Sequence, residues 1–241
     1  MRVAVFSDVH SNLEALTVVL DAIRREAPDR ILFAGDAVGY GPDPNACVER
    51  IFEAADVVVM GNHDSGVLNE SDLSSFNPLA QEAIRWTRSV LTAANREKLS
   101  VMPMTVREED LFLVHAAPRT PPDWDYVVEE TGAAEQFGFF DTPICLCGHT
   151  HRPMTFVWDG EKVTITQERL LTFHETFRYI VNVGSVGQSR DGNPDAAYVL
   201  YDHREKSLSF HRVLYNFRIT QEKMRAVNMP SFFVNRLTHG R

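Results

Sequence analysis

The sequence predicts an α/β fold, and three observations carry that prediction. Short apolar runs alternate with helical stripes as far as residue 60, and each run stops at an Asp, Asn or His. After residue 153 the texture changes to short alternating runs separated by turn residues. Val3-Ala4-Val5-Phe6 reads as a short buried strand, followed by Ser7-Asp8-Val9-His10. Ser11-Asn12-Leu13-Glu14 then reads as a capping box, with Leu13, Leu16, Val19, Leu20 and Ile23 on one helical stripe. Ile31-Leu32-Phe33-Ala34 is a second buried strand and ends in Gly35-Asp36. A Gly/Pro-rich loop from Gly39 to Pro44 leads to a helix around residues 45–55. The third strand, Val57-Val58-Val59-Met60, ends in Gly61-Asn62-His63-Asp64. Such alternation implies right-handed crossovers and a parallel sheet covered on both faces.

Leu111-Phe112-Leu113-Val114 ends in His115, and Ile144-Cys145-Leu146-Cys147 runs into Gly148-His149-Thr150-His151. Cys145 and Cys147 lie inside an apolar run and read as core residues. Ligands of open α/β sheets sit outside the carboxyl ends of the strands, so five such ends converge on one site if the sheet forms. The segment from about 66 to 104 interrupts the alternation. Its helical patterns, Pro78 to Leu91 and about Ala93 to Val101, predict a small helical cap insertion. Phe76 and Trp86 within it read as cap core. Beyond residue 153 come Met154–Trp158, Val163–Thr166, Tyr179–Val183, Ala196–Tyr201 and Ser207–Val213, which predict a second, mostly antiparallel sheet. A short helical segment is expected from about residue 219. No linker rich in Pro, Gly or Ser divides the chain, so residues 1–241 read as one domain.

Composition narrows the classes of function. Apolar residues make up 44% and charged residues 24%, as in globular proteins. No stretch approaches 18 consecutive apolar residues, which argues against a membrane span. The N-terminal apolar run is too short for a signal peptide. Three cysteines offer no disulfide framework and fit a reducing cytoplasm. A net charge of −9 argues against a broad nucleic-acid-binding surface.

Asp8, His10, Asp36, Asn62, His115, His149 and His151 together supply two carboxylates, one amide and four imidazoles. That set is too large for one metal ion and suits two, with mixed N/O ligands favouring divalent first-row ions. Two metals about 3.5–4 Å apart can share a carboxylate and a hydroxide and clamp a phosphate for in-line displacement.

Asp8-x-His10, Gly35-Asp36, Gly61-Asn62-His63-Asp64, His115 and Gly148-His149-x-His151 resemble, in order, the motifs of the calcineurin-like metallophosphoesterases. The resemblance spans residues 6 to 152. It implies an αββα sandwich of two mixed β-sheets flanked by helices, with a dinuclear metal centre. It further implies that Asp8, His10 and His151 bind one ion, that Asp36 bridges, and that Asn62, His115 and His149 bind the second. In an extended loop, residues i and i+2 project to one side, so His149 and His151 could address adjacent ions. His63 would stand beside the metals and protonate the leaving alkoxide, with Asp64 orienting its ring and keeping it protonated. Two divalent ions against two carboxylates and one hydroxide leave one positive charge, which a phosphodiester monoanion neutralises.

Serine/threonine protein phosphatases of this family carry Gly-Asp-x-x-Asp-Arg-Gly. Here the stretch is Gly35-Asp36-Ala37-Val38-Gly39-Tyr40-Gly41, with Tyr40 in place of the phosphate-clamping arginine. That argues against a protein phosphatase and makes Tyr40 a candidate for substrate binding. Arg190 is a second, following Gly184-Ser185-Val186-Gly187, a segment that could cradle phosphate or simply join strands tightly. Arg119, Trp124 and Tyr126 lie in a Pro-rich loop and read as packed rather than substrate-binding. The expectation is a cytoplasmic phosphohydrolase acting by metal-bridged hydroxide attack on a phosphodiester or phosphoanhydride bond. Its cofactors would be two ions drawn from Mn, Fe, Zn, Ni or Co, with Mn favoured, and its substrate small and nucleotide-like. The alternatives are a phosphomonoesterase or protein phosphatase and, from another class, a non-catalytic metal-binding scaffold. A scaffold would be expected to lose ligands or the acid, whereas this sequence keeps His63 and all seven ligand positions.

Overall fold

The computed structural model describes residues 1–241. Strand β1 (Arg2–Phe6), helix α1 (Leu13–Glu26), β2 (Arg30–Phe33), α2 (Pro44–Ala54) and β3 (Val57–Val58) open the chain. Helix α3 (Asn62–Leu68), a 3-10 turn at Glu70–Ser75, α4 (Pro78–Val90) and α5 (Ala93–Ser100) fill the stretch before the hairpin of β4 (Thr105–Glu108) and β5 (Leu111–Val114). Then come α6 (Glu130–Gln136), β6 (Ile144–Cys147), β7 (Met154–Trp158), β8 (Val163–Thr166), β9 (Leu170–Thr172) and β10 (Arg178–Asn182). Strands β11 (Ala196–Asp202) and β12 (Ser207–Val213) and helices α7 (Phe217–Ala226) and α8 (Ser231–His239) close it. No helix is long and apolar enough to cross a membrane.

The N-cap of α1 is Asn12, whose side chain accepts from the Ala15 amide. The expected box from Ser11 does not form, because Ser11 has a φ of 56° and its hydroxyl finds no partner. Asn77 caps α4 in the same way as Asn12, with Pro78 at the first helical position. Regular pairing of the third strand stops at Val58, and Met60 donates instead to the Pro103 carbonyl.

Twelve strands form two six-stranded sheets, ordered β3-β2-β1-β11-β12-β9 and β4-β5-β6-β10-β7-β8. Pairing is parallel along β1, β2 and β3 and along β5, β6 and β10, and antiparallel elsewhere. This is the αββα sandwich of mixed sheets. The division of strands differs from the simple reading of one parallel sheet followed by one antiparallel sheet. The five strands that end in candidate ligands split three and two, and late strands complete both sheets. The reason is visible in the alternation of side chains. Val3 and Val5 pack between the sheets with Leu111, Leu113, Ile144, Leu146 and Val181. Ala4 and Phe6, on the opposite face of β1, pack against Leu16, Val19 and Ile23 of α1 and Val48 and Ile51 of α2. On the far side, Cys145 and Cys147 sit in a core with Phe156, Ile180 and Phe137, as expected of buried thiols. A strand buried by a helix on one face and by a sheet on the other reads as a continuous apolar run, just as one between two helix layers does.

Phe6 is fully buried, with its ring 5.1 Å from that of Phe33. Phe6→Ala should therefore destabilise the protein by about 3–5 kcal/mol, through lost transfer energy and the cavity left behind. Urea unfolding monitored by circular dichroism measures this, and a loss below about 1 kcal/mol would show that the layer between β1 and α1 is not tightly packed.

Candidate metal centre

Where the strands end, the backbone turns sharply. Asp8, His10, Asp36, His149 and His151 all have positive φ, between 48° and 68°. Non-glycine residues adopt this left-handed conformation at a cost of about 1–2 kcal/mol each. Hydrogen bonds between neighbouring loops hold them there. Asp8, His10 and Ser11 donate their amides to the carbonyls of Gly35, Asp36 and Ala37, at 2.9, 3.0 and 3.0 Å. The His149 amide donates to both carboxylate oxygens of Asp8, at 3.2 and 3.1 Å. His149 and His151 thus diverge from a left-handed turn rather than projecting to one side of an extended loop. His151 faces His10 and Asp8, while the His149 ring lies edge-on to His115.

The side chains are almost wholly buried. Asp8 and His115 are 0% exposed, and His10 and Asp36 1%. Three rings are oriented by backbone carbonyls: His10 Nδ1 faces Val38 O at 3.2 Å, His115 Nδ1 faces Ala34 O at 2.7 Å, and His151 Nδ1 faces Gln188 O at 2.5 Å. A carbonyl can only accept, so Nδ1 carries the hydrogen and Nε2 points inward, the usual arrangement behind a metal-ligating histidine. The inward nitrogens crowd together. His10 Nε2 lies 3.0 Å from His151 Nε2, and His151 Nε2 lies 3.2 Å from Asp8 Oδ1. Asp36 Oδ2 lies 3.5 Å from His10 Nε2 and 3.3 Å from His115 Nε2, and Asn62 Oδ1 lies 3.2 Å from His115 Nε2. His149 Nε2 is buried with no partner. Burial pushes His149 down to about 3, so its ring offers a lone pair. Nitrogen and oxygen ligand atoms converging on so small a volume fit a cation. Three buried groups of ligand atoms lie close enough to surround an ion: Asp8 with His10 and His151, Asp36 with His115 and His149, and His10 with Asp36 and His63.

Two motif glycines are required by close approach. A Cβ on Gly61 would stand 2.1 Å from Asp36 Oδ1, and one on Gly148 would stand 2.3 Å from Asp8 Oδ2. Both glycines let a second loop lie directly on a carboxylate.

Asp64 plays a different part from the one the sequence suggested. Residues i and i+1 of a helix do not face each other, and Asp64 makes no hydrogen bond to the His63 ring. Its carboxylate accepts from the amides of Asp36, Ala37, Val38 and Gly61 at 2.9–3.3 Å, so it braces the loop that carries Asp36. Burial, reinforced by the Asp36 charge, raises Asp64 to about 7 despite those bonds. The His63 ring packs against Tyr40, His10 and Phe76, with centroids 4.4, 4.7 and 5.0 Å away. Burial lowers it to about 4, with Asp36 opposing. One of its nitrogens also lies within 4.8 Å of ligand atoms of His10 and Asp36.

These residues open onto a cavity of about 290 Å³. Tyr40 and Arg190 line it together with Asn62, His63, His149 and His151. The Arg190 guanidinium carbon lies 6.0 Å from the Tyr40 ring. Trp124 and Tyr126 also form its wall, contrary to their reading as plain loop residues, and Tyr126 stacks on His149 at 4.0 Å. Phe76 lines the cavity as well, while Trp86 packs with the cap and the C-terminal helices. Arg119 faces away and pairs with Asp125 and Glu135. The 184–187 segment braces the loops: the amides of Val186 and Gly187 donate to the carbonyls of Ser7 and Asp8, and the Ser185 hydroxyl donates to Asp8 O. Those groups are therefore not free for phosphate, and Gln188 and Asn182 join the brace without any signal in the sequence. Asn182 donates to the Gly148 carbonyl.

A family model described as calcineurin-like phosphoesterase superfamily domain matches residues 1–206. An uncharacterized protein of Methanocaldococcus jannaschii is 36% identical over 243 residues, covering 99% of this chain and 98% of the relative. A symmetrical bis(5'-nucleosyl)-tetraphosphatase of Methylococcus capsulatus is 31% identical over 139 residues, 52% of this chain and 45% of that protein. Among solved structures, a metallophosphoesterase from Sphaerobacter thermophilus superposes with a TM-score of 0.90 at 39% identity, covering 100% of this chain and 99% of its own.

Gly61→Ala tests the closeness on which the centre depends. The added Cβ would displace the Asp36 carboxylate, so bound divalent metal measured by plasma emission should fall by at least half while circular dichroism stays native. Full metal content in a folded variant would mean that the Gly61–Asp36 approach does not position a ligand.

Proposed function

Because the chain belongs to the calcineurin-like phosphoesterase superfamily, we propose that it is a dinuclear phosphohydrolase cutting a phosphodiester or phosphoanhydride bond in a small, nucleotide-like substrate. The observation that carries this reading is the position of Asp36 Oδ2, within 3.5 Å of His10 Nε2 and 3.3 Å of His115 Nε2. One carboxylate oxygen thereby addresses both ligand groups. Asp8, His10 and His151 would hold one ion, Asn62, His115 and His149 the other, and Asp36 both. Two divalent ions, with Mn the first to try among Mn, Fe, Zn, Ni and Co, would supply Lewis acidity and an activated water.

The chain's own residues do the rest. Arg190 presents a guanidinium to the phosphoryl oxygens, and Tyr40 packs beneath that guanidinium and the His63 ring. Phe76, Trp124 and Tyr126 offer flat faces at the cavity wall for a base, which supports the nucleotide-like assignment. The tetraphosphatase relative acts on a substrate of that class, as its name states. His63 would give its proton to the leaving oxygen. A ring lowered to about 4 is a strong acid that holds little proton at neutral pH, so the role depends on the substrate's negative charge favouring the protonated form.

A hydrolysis panel with added Mn²⁺ tests the reading. Bis(nitrophenyl) phosphate, nitrophenyl phosphate, a cyclic nucleotide and a dinucleoside tetraphosphate are compared. Turnover of the diester or the anhydride that disappears on chelation is the expected result, and no turnover of any of them would favour a non-catalytic scaffold.

His63→Ala separates acid from ligand. As an acid, its loss should leave metal content intact and lower the rate by about 10²–10⁴ on a nucleotide. The effect should be much smaller on a nitrophenyl ester, whose leaving group needs no proton. Loss of metal with equal failure on both substrates would make His63 a ligand instead.

A further inference from the structure

Next to the metal-site cavity, and sharing Arg190 with it, lies a depression of about 490 Å³ with no hydrophobic side chain in its lining. Arg152, Arg190, Arg236 and Arg241 line it. Its carboxylate, Asp191, is paired with Arg212. Arg152, Arg190 and Arg236 have no side-chain carboxylate within 4.0 Å. In a chain of net charge −9, four guanidinium groups around one depression are a local concentration of positive charge.

Gln188 ties this depression to the metal centre. Its carbonyl accepts from His151 Nδ1, and its side-chain Oε1 accepts from Arg190 Nη2 at 3.1 Å and Arg236 Nη1 at 3.2 Å. Arg152 Nε donates to the Arg190 carbonyl at 2.9 Å, and the Arg190 amide donates to the His151 carbonyl at 3.1 Å. Arg236 Nε donates to the main-chain oxygen of Arg241, the last residue of the sequence. A guanidinium carries five N–H donors, so these contacts leave donors over, and Arg190 Nε is buried with no partner. Two cations meeting at one neutral oxygen repel, and an anion beside them would reverse the sign of that interaction. Burial, together with the Arg190 charge, accordingly draws Arg236 down to about 10.

We propose that this arginine-lined depression binds a second phosphoryl group of the substrate, beyond the one that is cut, which makes an oligophosphate the preferred substrate over a simple diester. Guanidinium forks match phosphate oxygens two at a time. Arg190 stands between the two volumes and can touch both phosphoryl groups. Placing the scissile group at the metal centre rests on the phosphohydrolase reading above, whereas the anion site does not.

Two measurements test this. The first is the ratio of kcat/KM for a dinucleoside tetraphosphate to that for bis(nitrophenyl) phosphate in the wild type, Arg236→Gln and Arg152→Gln. Each lost charge-assisted contact should lower the ratio by about tenfold or more. The two variants lie on different elements, so a folding defect in one leaves the other decisive. An unchanged ratio in a folded variant of either would overturn the proposal. The second is calorimetric titration with tripolyphosphate and with orthophosphate, in a constant excess of Mg²⁺ so that the ligand does not strip metal. Tripolyphosphate should bind the wild type about tenfold more tightly than orthophosphate, and Arg236→Gln should erase the difference. Equal affinities in the wild type would overturn the anion site. If the wild type hydrolyses neither substrate, the phosphohydrolase reading falls, and the titration still decides whether the depression binds phosphate.

Discussion

Every element around the candidate centre is arranged so that one carboxylate, Asp36, can be buried in a fixed orientation. Its Oδ1 accepts from the His63 amide at 2.8 Å, which leaves Oδ2 to face His10 and His115. A buried carboxylate without compensation is costly, because burial alone raises its pKa toward the neutral form. Here burial works in that direction, and the charge on His115 leads the effects that outweigh it and hold Asp36 well below the usual carboxylate range. The Asp64 carboxylate fixes the loop beneath, and Gly61 permits α3 to approach that closely.

The same constraint explains the strained backbone. Candidate ligands at left-handed φ would be unfavourable in an isolated loop. Between the two sheets they are held by hydrogen bonds running from loop to loop: β1 to β2 through Asp8, His10 and Ser11, and β6 to β1 through the His149 amide on Asp8. The 184–188 segment closes the ring by gripping Ser7, Asp8 and His151. Rigidity of this kind keeps four imidazole nitrogens and two carboxylates within reach of one another, and pre-organisation of this kind serves both metal binding and electrostatic catalysis. The C-terminal helices belong to the same construction, since Phe233 packs 4.4 Å from the Tyr40 ring and α8 supplies Arg236.

Much of this was legible in the sequence, because strand ends are marked by abrupt changes from apolar to ligating residues. The five motifs and their order pointed to the family and to the αββα architecture. What stayed hidden was information that depends on partners far away in the chain. The apolar runs at Val3–Phe6 and Ile144–Cys147 look alike whether the covering layer is a helix or a sheet, so the split of β1 and β6 between two sheets could not be read from them. Asp64 looked like a partner for its neighbour His63, but a helical turn aims it at the amides of Asp36 to Val38 instead. Trp124 and Tyr126 carried no periodic signal, and their place in the cavity wall comes from the turn after β5. Arg152, Arg190 and Arg236 are scattered over the sequence, and only the folded chain brings them to one depression.

The most direct measurement of the proposed dinuclear centre is anomalous diffraction from crystals grown with Mn²⁺, recorded on both sides of the manganese absorption edge. Bridging by Asp36 predicts two anomalous peaks per chain about 3.5–4 Å apart, with Asp36 Oδ2 between them, Asp8, His10 and His151 around one, and Asn62, His115 and His149 around the other. A single peak at Asp8, His10 and His151, with Asp36 turned away from it, would contradict the bridge.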